Sequence, residues 1–339
     1  MYSLIRGLLF RLEPEVAHHL TIRLIWLAGS LPLLPALLRR AYCTPAKPVH
    51  VFGLNFSNPV GLAAGYDKDG LGWHGLACLG FSHIEVGTVT LKPQPGNPKP
   101  RIFRLPEEKA LINRMGFPGD GAEVVGLRLT DRRPQGLVLG VNIGKNKDTP
   151  LEHAEQDYLG LLQKFAPLAD YIAINISSPN TIGLRRLQAR DMLERLLGVL
   201  HVERITQQQQ LGKNVPLLVK LAPDLNDGEL DDALAAILGT GMDGVIATNT
   251  TLSREGLNSP VAREAGGLSG APLTSQSRAM VGKIIQRSEN RIPVIGVGGI
   301  MTPGDAQVML EAGASLVQVY TGLIYAGPGL VQQIIKEIV

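Results

Sequence analysis

Eight short apolar runs, each separated from the next by a stretch of helical character, set the limits on what this chain can become. They fall at residues 60–64, 83–88, 137–143, 171–176, 217–221, 244–248, 293–297 and 316–320. Between most of them lie amphipathic segments, such as residues 151–165, 192–205, 229–238 and 303–311. Strands that are apolar throughout need cover on both faces, and a parallel sheet with intervening helices supplies it. Eight strand–helix repeats are the count of a (β/α)8 TIM barrel, which is the expected α/β fold. A doubly wound sheet is the alternative, because periodicity does not show closure.

A barrel places its active site at the C-terminal ends of its strands. Here those ends read Gly65 with Lys68, Thr88, Asn142, Asn175 with Ser178, Lys220, Thr248 with Asn249 and Thr250, Gly298 with Gly299, and Tyr320 with Thr321. Turns and caps account for a few such residues, but eight polar or glycine ends around one mouth call for a large polar ligand. The sharpest change is at Asn175-Ile176-Ser177-Ser178-Pro179-Asn180, where an apolar run gives way to amides and hydroxyls. Pro179 biases Ser178 towards an extended conformation, so the chain leaves the strand without turning into a helix. An asparagine amide offers a donor and an acceptor to a planar heterocycle, and a serine hydroxyl beside it can accept or relay a proton. An Asx or Ser turn is the other reading of this stretch alone.

The loops after the seventh and eighth strands, with Gly298, Gly299 and Gly322, let backbone N–H groups approach a phosphate. That phosphate belongs either to a cofactor or to the substrate of an isomerase. No GxGxxG follows a strand, so a Rossmann-type site is not supported. The long connection at residues 91–121 reads as a hairpin over the mouth, with arms at 101–105 and 110–114, and it is placed to deliver Asn113. No histidine or cysteine spacing suits a metal; Cys43 and Cys78 stand apart, as in a reduced compartment. The formal charge of +3 is scattered, which leaves nucleic acid unsupported as a partner.

Residues 1–40 form a separate helical module. Leu4, Ile5, Leu8, Leu9 and Leu12 recur at helical spacing, then Val16, Leu20, Leu24 and Leu27 do so, and a Pro-interrupted apolar stretch follows. Charges and prolines break it too often for a spanning helix, and Arg11, Glu13, Glu15 and Arg23 fall where a signal peptide would be apolar. Two placements remain open from composition: packing on the barrel, or lying in a membrane interface.

The motifs, taken together and in order, resemble the class 2 dihydroorotate dehydrogenases over essentially the whole chain. The matching stretches are 61–68 (GLAAGYDK), 94–101 (QPGNPKPR), 113–117 (NRMGF), 142–147 (NIGKNK), 175–180 (NISSPN), 219–224 (VKLAPD), 247–250 (ATNT), 266–270 (GGLSG) and 296–300 (GVGGI). The resemblance implies one FMN and the oxidation of dihydroorotate to orotate in pyrimidine synthesis. Ser178 falls where class 2 enzymes keep the general base for the C5 proton; the cytosolic class has cysteine there. Lys68, Asn113, Arg114, Met115, Gly116, Phe117, Asn175, Asn180, Asn249 and Thr250 match substrate-side positions. Ala64, Gly65, Thr88, Asn142, Asn175, Lys220, Thr248, Gly270, Gly299, Tyr320 and Thr321 match FMN-side positions, with Lys220 charged to stabilise the reduced ring.

The same resemblance implies that residues 1–40 associate peripherally with a membrane and admit a ubiquinone-type quinone, with His18 and Arg104 along its route. A barrel at 41–339, a monomer, and the cytoplasmic side of a bacterial inner membrane complete the expectation. The rivals are a cytosolic-type enzyme using fumarate or NAD and a colourless phosphate-binding barrel isomerase. Two departures from the family pattern stand out, Pro118-Gly119 after Phe117 and Ile182 after Thr181, both in loops by the substrate.

Overall fold

The computed structural model describes residues 2–181 and 183–338, so the Ile182 departure lies outside the described residues. The eight expected strands close into one parallel barrel in chain order: Val60–Leu62, His83–Val89, Val138–Ile143, Tyr171–Asn175, Leu217–Leu221, Gly244–Ala247, Val294–Val297 and Leu316–Val319. Closure comes from the eighth strand pairing with the first, Val317 opposite Val60 and Val319 opposite Leu62. That pairing excludes the doubly wound alternative.

The strands alternate between two cores. Outward-facing Ile84, Val86, Leu139, Val141, Ile172, Ile174 and Val219 pack under the helices. Inward-facing Ala63, Val138, Tyr171, Ala173, Leu218, Ile246, Ile295 and Leu316 fill the barrel, and the hairpin Val49–Val51/Leu54–Phe56 joins them through Val51 and Phe56. Two glycines make room for large inward side chains. A Cβ at Gly140 would lie 2.2 Å from the Tyr171 ring, and one at Gly61 would lie 2.0 Å from the His83 ring.

The expected helices are present, and their starts follow from capping chemistry. Asn226 accepts the Glu229 N–H while Glu229 returns a bond to the Asn226 N–H, opening Asp227–Gly239. Thr302 and Asp305 do the same for Pro303–Glu311, where proline occupies the first turn without losing a bond. The hairpin at the mouth is also present, Ile102–Leu105 against Ala110–Asn113. A third strand, Gly267–Gly270, pairs with its inner arm and makes a three-stranded antiparallel sheet. Gly-Leu-Ser-Gly is too short and glycine-rich to carry a strand period, so the sequence reading had no signal for it.

Three helices, Tyr2–Leu9, Pro14–Ser30 and Leu34–Tyr42, form the N-terminal part. Glu13 caps the second through the Val16 N–H. That helix crosses Trp73–Ala77 at two glycines: a Cβ on Gly75 would lie 2.1 Å from the Ile25 carbonyl oxygen, and one on Gly29 would lie 2.6 Å from the Gly75 nitrogen. One face therefore packs on the barrel, where Ala17 and Ile22 are buried, and the other leaves Leu4, Leu8, Val16, Leu20, Leu24, Trp26, Leu33 and Leu37 exposed. Among the described residues no single helix is long and apolar enough to cross a membrane; the second and third would pass only as a pair bent by 107°.

Candidate active site

The strand ends converge on one cavity at the C-terminal mouth, roofed by the three-stranded sheet through Ile102, Leu111, Ser269 and Gly270. Nearly every residue named from the sequence lines it. The lining includes Lys68, Asn113, Met115, Gly116, Phe117, Asn175, Ser178, Asn180, Asn249 and Thr250 together with Ala64, Gly65, Thr88, Lys220, Thr248, Gly270, Gly299, Tyr320 and Thr321. Among the described residues, the lining carries two ammonium groups and no carboxylate or imidazole. A half-enclosed site with that balance selects an anion.

The polar floor is a bonded lattice. Asn175 donates its amide to Thr88 Oγ1 (2.9 Å) and Asn142 Oδ1 (3.2 Å), and its Oδ1 accepts from Asn249 Nδ2 (3.2 Å) and Ser177 Oγ (3.3 Å). Asn142 is wholly buried and lies behind this layer; its own amide donates to Glu85 Oε1 at 2.8 Å. Asn180 donates to Asn113 Oδ1 across the mouth at 3.2 Å. Ser178 is buried, and its Oγ accepts the Asn180 N–H at 3.2 Å. A backbone donor on that oxygen favours the negative charge that builds as the hydroxyl gives up its proton.

Lys68 donates to the Gly65 carbonyl at 2.8 Å, and burial pulls its ammonium down from the ordinary 10.5 to about 8. Tyr320 donates to the same carbonyl at 3.3 Å, its phenol pushed up to about 12 by burial. Lys220 sits at the barrel axis with Nζ 3.6 Å from Glu85 Oε1.

The glycine loops suit a phosphate. Thr274 and Ser277 hydroxyls donate to the Gly299 and Gly298 carbonyls, both at 2.8 Å, which turns those carbonyls outward. A Cβ on Gly299 would lie 2.3 Å from Thr274 Cα, and one on Gly270 would lie 2.3 Å from the Lys109 carbonyl oxygen. These positions admit backbone only. Gln318 Oε1, buried in the same cavity, has no hydrogen-bond partner. An acceptor in that state is suited to a donor on a bound ring.

Besides Asn142, three residues read from the sequence stand off the cavity wall. Arg114 pairs with Glu264 at 2.5 Å and lies over the Phe103 ring, facing outward. Arg104 donates to the Leu12 carbonyl at 2.7 Å and covers Phe10, so it sits where the hairpin meets the N-terminal helices. His18 packs edge-on against Tyr66, which in turn packs against Tyr320; burial pulls its imidazole down to about 3.

Other residues were not singled out in the sequence and prove central. Arg185 donates to the Ser177 carbonyl (3.1 Å), the Thr250 carbonyl (3.0 Å) and Asp224 (2.8 Å), tying the fourth and sixth strand ends together. Gln94 and Asn97 hold the mouth loop. Gln94 donates to the Gly116 and Phe117 carbonyls, while Asn97 donates to the Arg114 and Asn180 carbonyls. Gly119 of the Pro118-Gly119 departure has a local reason: a Cβ there would lie 2.9 Å from Asp69 Oδ1, which accepts the Asp120 N–H.

Comparison with known proteins bears on this geometry. Residues 47–339 match the family described as "Dihydroorotate dehydrogenase". A protein of Alkalilimnicola ehrlichii named "Dihydroorotate dehydrogenase (quinone)" is 51% identical over 339 residues, 100% of this chain and 99% of that protein. One of the same name from Roseiflexus sp. is 50% identical over 336 residues, 98% of this chain and 92% of that protein. Among solved structures, ligand-free DHODH from Eimeria tenella superposes with a TM-score of 0.86 at 42% identity, covering 96% of this chain and 93% of that one. The same enzyme with ferulenol superposes with a TM-score of 0.85 at 42% identity, covering 96% and 90%.

Proposed function

The chain belongs to the dihydroorotate dehydrogenase family, and from that premise we propose that it oxidises dihydroorotate to orotate in pyrimidine synthesis, with one FMN as its flavin and a membrane quinone as electron acceptor. The observation that carries the reading is the cavity lining: two ammonium groups, of which, among the described residues, only Lys220 has a carboxylate, Glu85, paired behind it, a lattice of asparagine amides and one buried serine. The outward-turned carbonyls at Gly298 and Gly299, the glycines with no room for a side chain and the unpartnered Gln318 oxygen fit a flat, hydrogen-bonding ring that ends in a phosphate. When bound, FMN supplies a two-electron acceptor for a hydride and hands the electrons on to the quinone.

The residues divide the rest of the work. Lys68 balances the substrate carboxylate, and Asn113, Asn175, Asn180, Asn249 and Thr250 fix the ring's orientation. Met115, Gly116 and Phe117 close over it, held by Gln94. Loss of a hydride from C6 and a proton from C5 leaves the C5=C6 bond of orotate. Ser178 Oγ takes that C5 proton while passing its own to water, with the Asn180 N–H stabilising the oxygen. Lys220 and Thr248, with Ala64, Gly65, Thr88, Tyr320 and Thr321, line the same cavity and would hold the FMN. Asn142 braces this layer from behind.

The exposed leucine face at residues 2–40 suits peripheral binding to the cytoplasmic side of a bacterial inner membrane, by a monomer. A quinone that enters between these helices and the hairpin passes Arg104 and reaches Tyr66 beside His18. Anaerobic absorbance tests the whole reading. A yellow protein bleaches with dihydroorotate and regains colour with quinone. A yellow protein that does not bleach refutes the substrate, and a colourless one that takes up no FMN refutes the cofactor.

A further inference from the structure

Glu85 is a carboxylate inside the barrel, above a largely apolar filling, and it is fully buried. Four donors surround it: Asn142 Nδ2 at 2.8 Å and Lys220 Nζ at 3.6 Å on Oε1, Gln318 Nε2 at 2.9 Å and Tyr171 Oη at 3.1 Å on Oε2. They come from four different strands, and Gly140 clears the space that lets the Tyr171 ring reach in.

As a stabilising device this arrangement is poor. A buried ion pair gains little over well-packed apolar side chains of the same volume, while removal of one partner strands the other charge. The location supplies a different reason for it. Lys220, Gln318 and Asn175 all line the cavity, and each is held from below through Glu85, Asn175 by way of Asn142. We propose that Glu85 is a positioning residue for the flavin: it gives Lys220 its counter-charge, aims it into the cavity from beneath, and so makes the pair rather than the lysine alone the element that sets the flavin's reduction potential.

The inference rests on the FMN reading above. Other groups near the pair do not confuse it. The Tyr171 phenol is held protonated, its pKa pushed well above its ordinary range by burial and by Glu85. His83, two residues earlier on the same strand, is pushed down to about 3 by burial, and Asn142 and Gln318 do not titrate.

The test is the midpoint potential of the bound flavin in wild type and Glu85→Gln, measured by dye equilibration from about pH 6 to about pH 9. Glu85→Gln leaves Lys220 a lone buried cation, and burial without a counter-charge disfavours the charged form of a lysine. At the acid end its potential lies above wild type by at least about 30 mV, a tenfold change in the two-electron equilibrium, because a lone cation favours the reduced ring. As pH rises the difference closes, and the variant shows a break beyond the one that Lys68, at about 8, gives both proteins. Glu85→Gln/Lys220→Met removes the additional break and melts above Glu85→Gln alone.

Where Glu85→Gln is too unstable to purify with flavin, Glu85→Asp is measured instead: the shorter carboxylate draws back from Lys220 and shifts the potential with the charge retained. Potentials that run parallel to wild type within about 10 mV, less than the tenfold step, overturn the inference and leave Glu85 a packing residue. A wild type that takes up no FMN overturns the cofactor reading itself, which separates the two failures.

Discussion

Replacing Lys68 by methionine is expected to make the protein more stable and a worse enzyme. Burial is the main reason that the Lys68 ammonium is held at about 8 against an ordinary 10.5. In full that depression corresponds to about 3 kcal/mol at 1.36 kcal/mol per unit, and the half-buried side chain reduces the figure to about 2. The sign follows from proton linkage. Between 8 and 10.5 the unfolded chain binds the proton that the folded chain has released, so stability rises with pH across that window. Below it the folded protein carries the full penalty, and methionine removes it. Little is lost in exchange, since the Gly65 carbonyl keeps its Tyr320 donor.

Substrate binding responds in the opposite sense. An anionic substrate needs the ammonium, which is about 90% present one unit below its pKa and about 10% present one unit above, so KM for dihydroorotate rises about tenfold across those two units. A charged hydrogen bond contributes about 1.5–3 kcal/mol, so Lys68→Met raises KM roughly 10- to 150-fold and flattens the pH profile. Thermal melting and steady-state kinetics with a soluble quinone read both effects. A variant that melts below wild type, or that keeps the alkaline rise in KM, shows that the reasoning about Lys68 is wrong.

The other residues give sharper single outcomes. Ser178→Ala slows flavin reduction by dihydroorotate about 100- to 10,000-fold in rapid mixing while the protein stays yellow; a rate within threefold of wild type removes Ser178 from the proton path. Arg185→Ala releases the Ser177 and Thr250 carbonyls and leaves Asp224 uncompensated, so kcat falls and KM rises with FMN content unchanged; unaltered kinetics would show that the two loops hold without it. Glu15→Gln strands Arg101, whose guanidinium lies 2.7 Å from the buried carboxylate. Melting then shows a loss of about 3–5 kcal/mol, and a loss under about 1 kcal/mol contradicts a buried pair. Removing residues 1–40 abolishes quinone reduction, while flavin reduction by dihydroorotate persists at a lowered rate because Arg101 loses Glu15; normal quinone kinetics would refute the entry route.

The barrel was legible because its strands are buried on both faces, which makes each a continuous apolar run ended by a polar residue. The strand-end residues of the cavity were legible for the same reason, since closure brings all eight ends to one mouth, whereas Met115, Gly116, Phe117 and Gly270 came only through the family resemblance. What escaped was of two kinds. Gly267–Gly270 is a strand only because the hairpin offers it an edge, a tertiary cause with no local period. Arg185 reaches the Thr250 carbonyl and Asn97 the Asn180 carbonyl, both far along the chain, and no spacing in the sequence encodes those partners. Glu85 had a visible signal: a charged residue inside the apolar run at 83–88 contradicts the burial that the run implies. Such a contradiction marks a site, because a buried carboxylate persists only where donors have been arranged around it.

The N-terminal helices and the substrate loop are joined by more than proximity. Glu15 on the second helix holds Arg101, and Arg101 donates to the Pro95 and Asn97 carbonyls, the latter at 2.9 Å. Asn97 in turn donates to the Asn180 and Arg114 carbonyls, on either side of the substrate amides. Tyr2 and Arg6 reach the Ile324 and Tyr325 carbonyls on the short helix Thr321–Ala326, whose first residue lines the cavity. The helical part is thus bonded to loops on both sides of the cavity. A change that loosens these helices therefore perturbs dihydroorotate kinetics as well as quinone kinetics, and the ratio of the two effects in Glu15→Gln measures how much of the mouth depends on that single carboxylate.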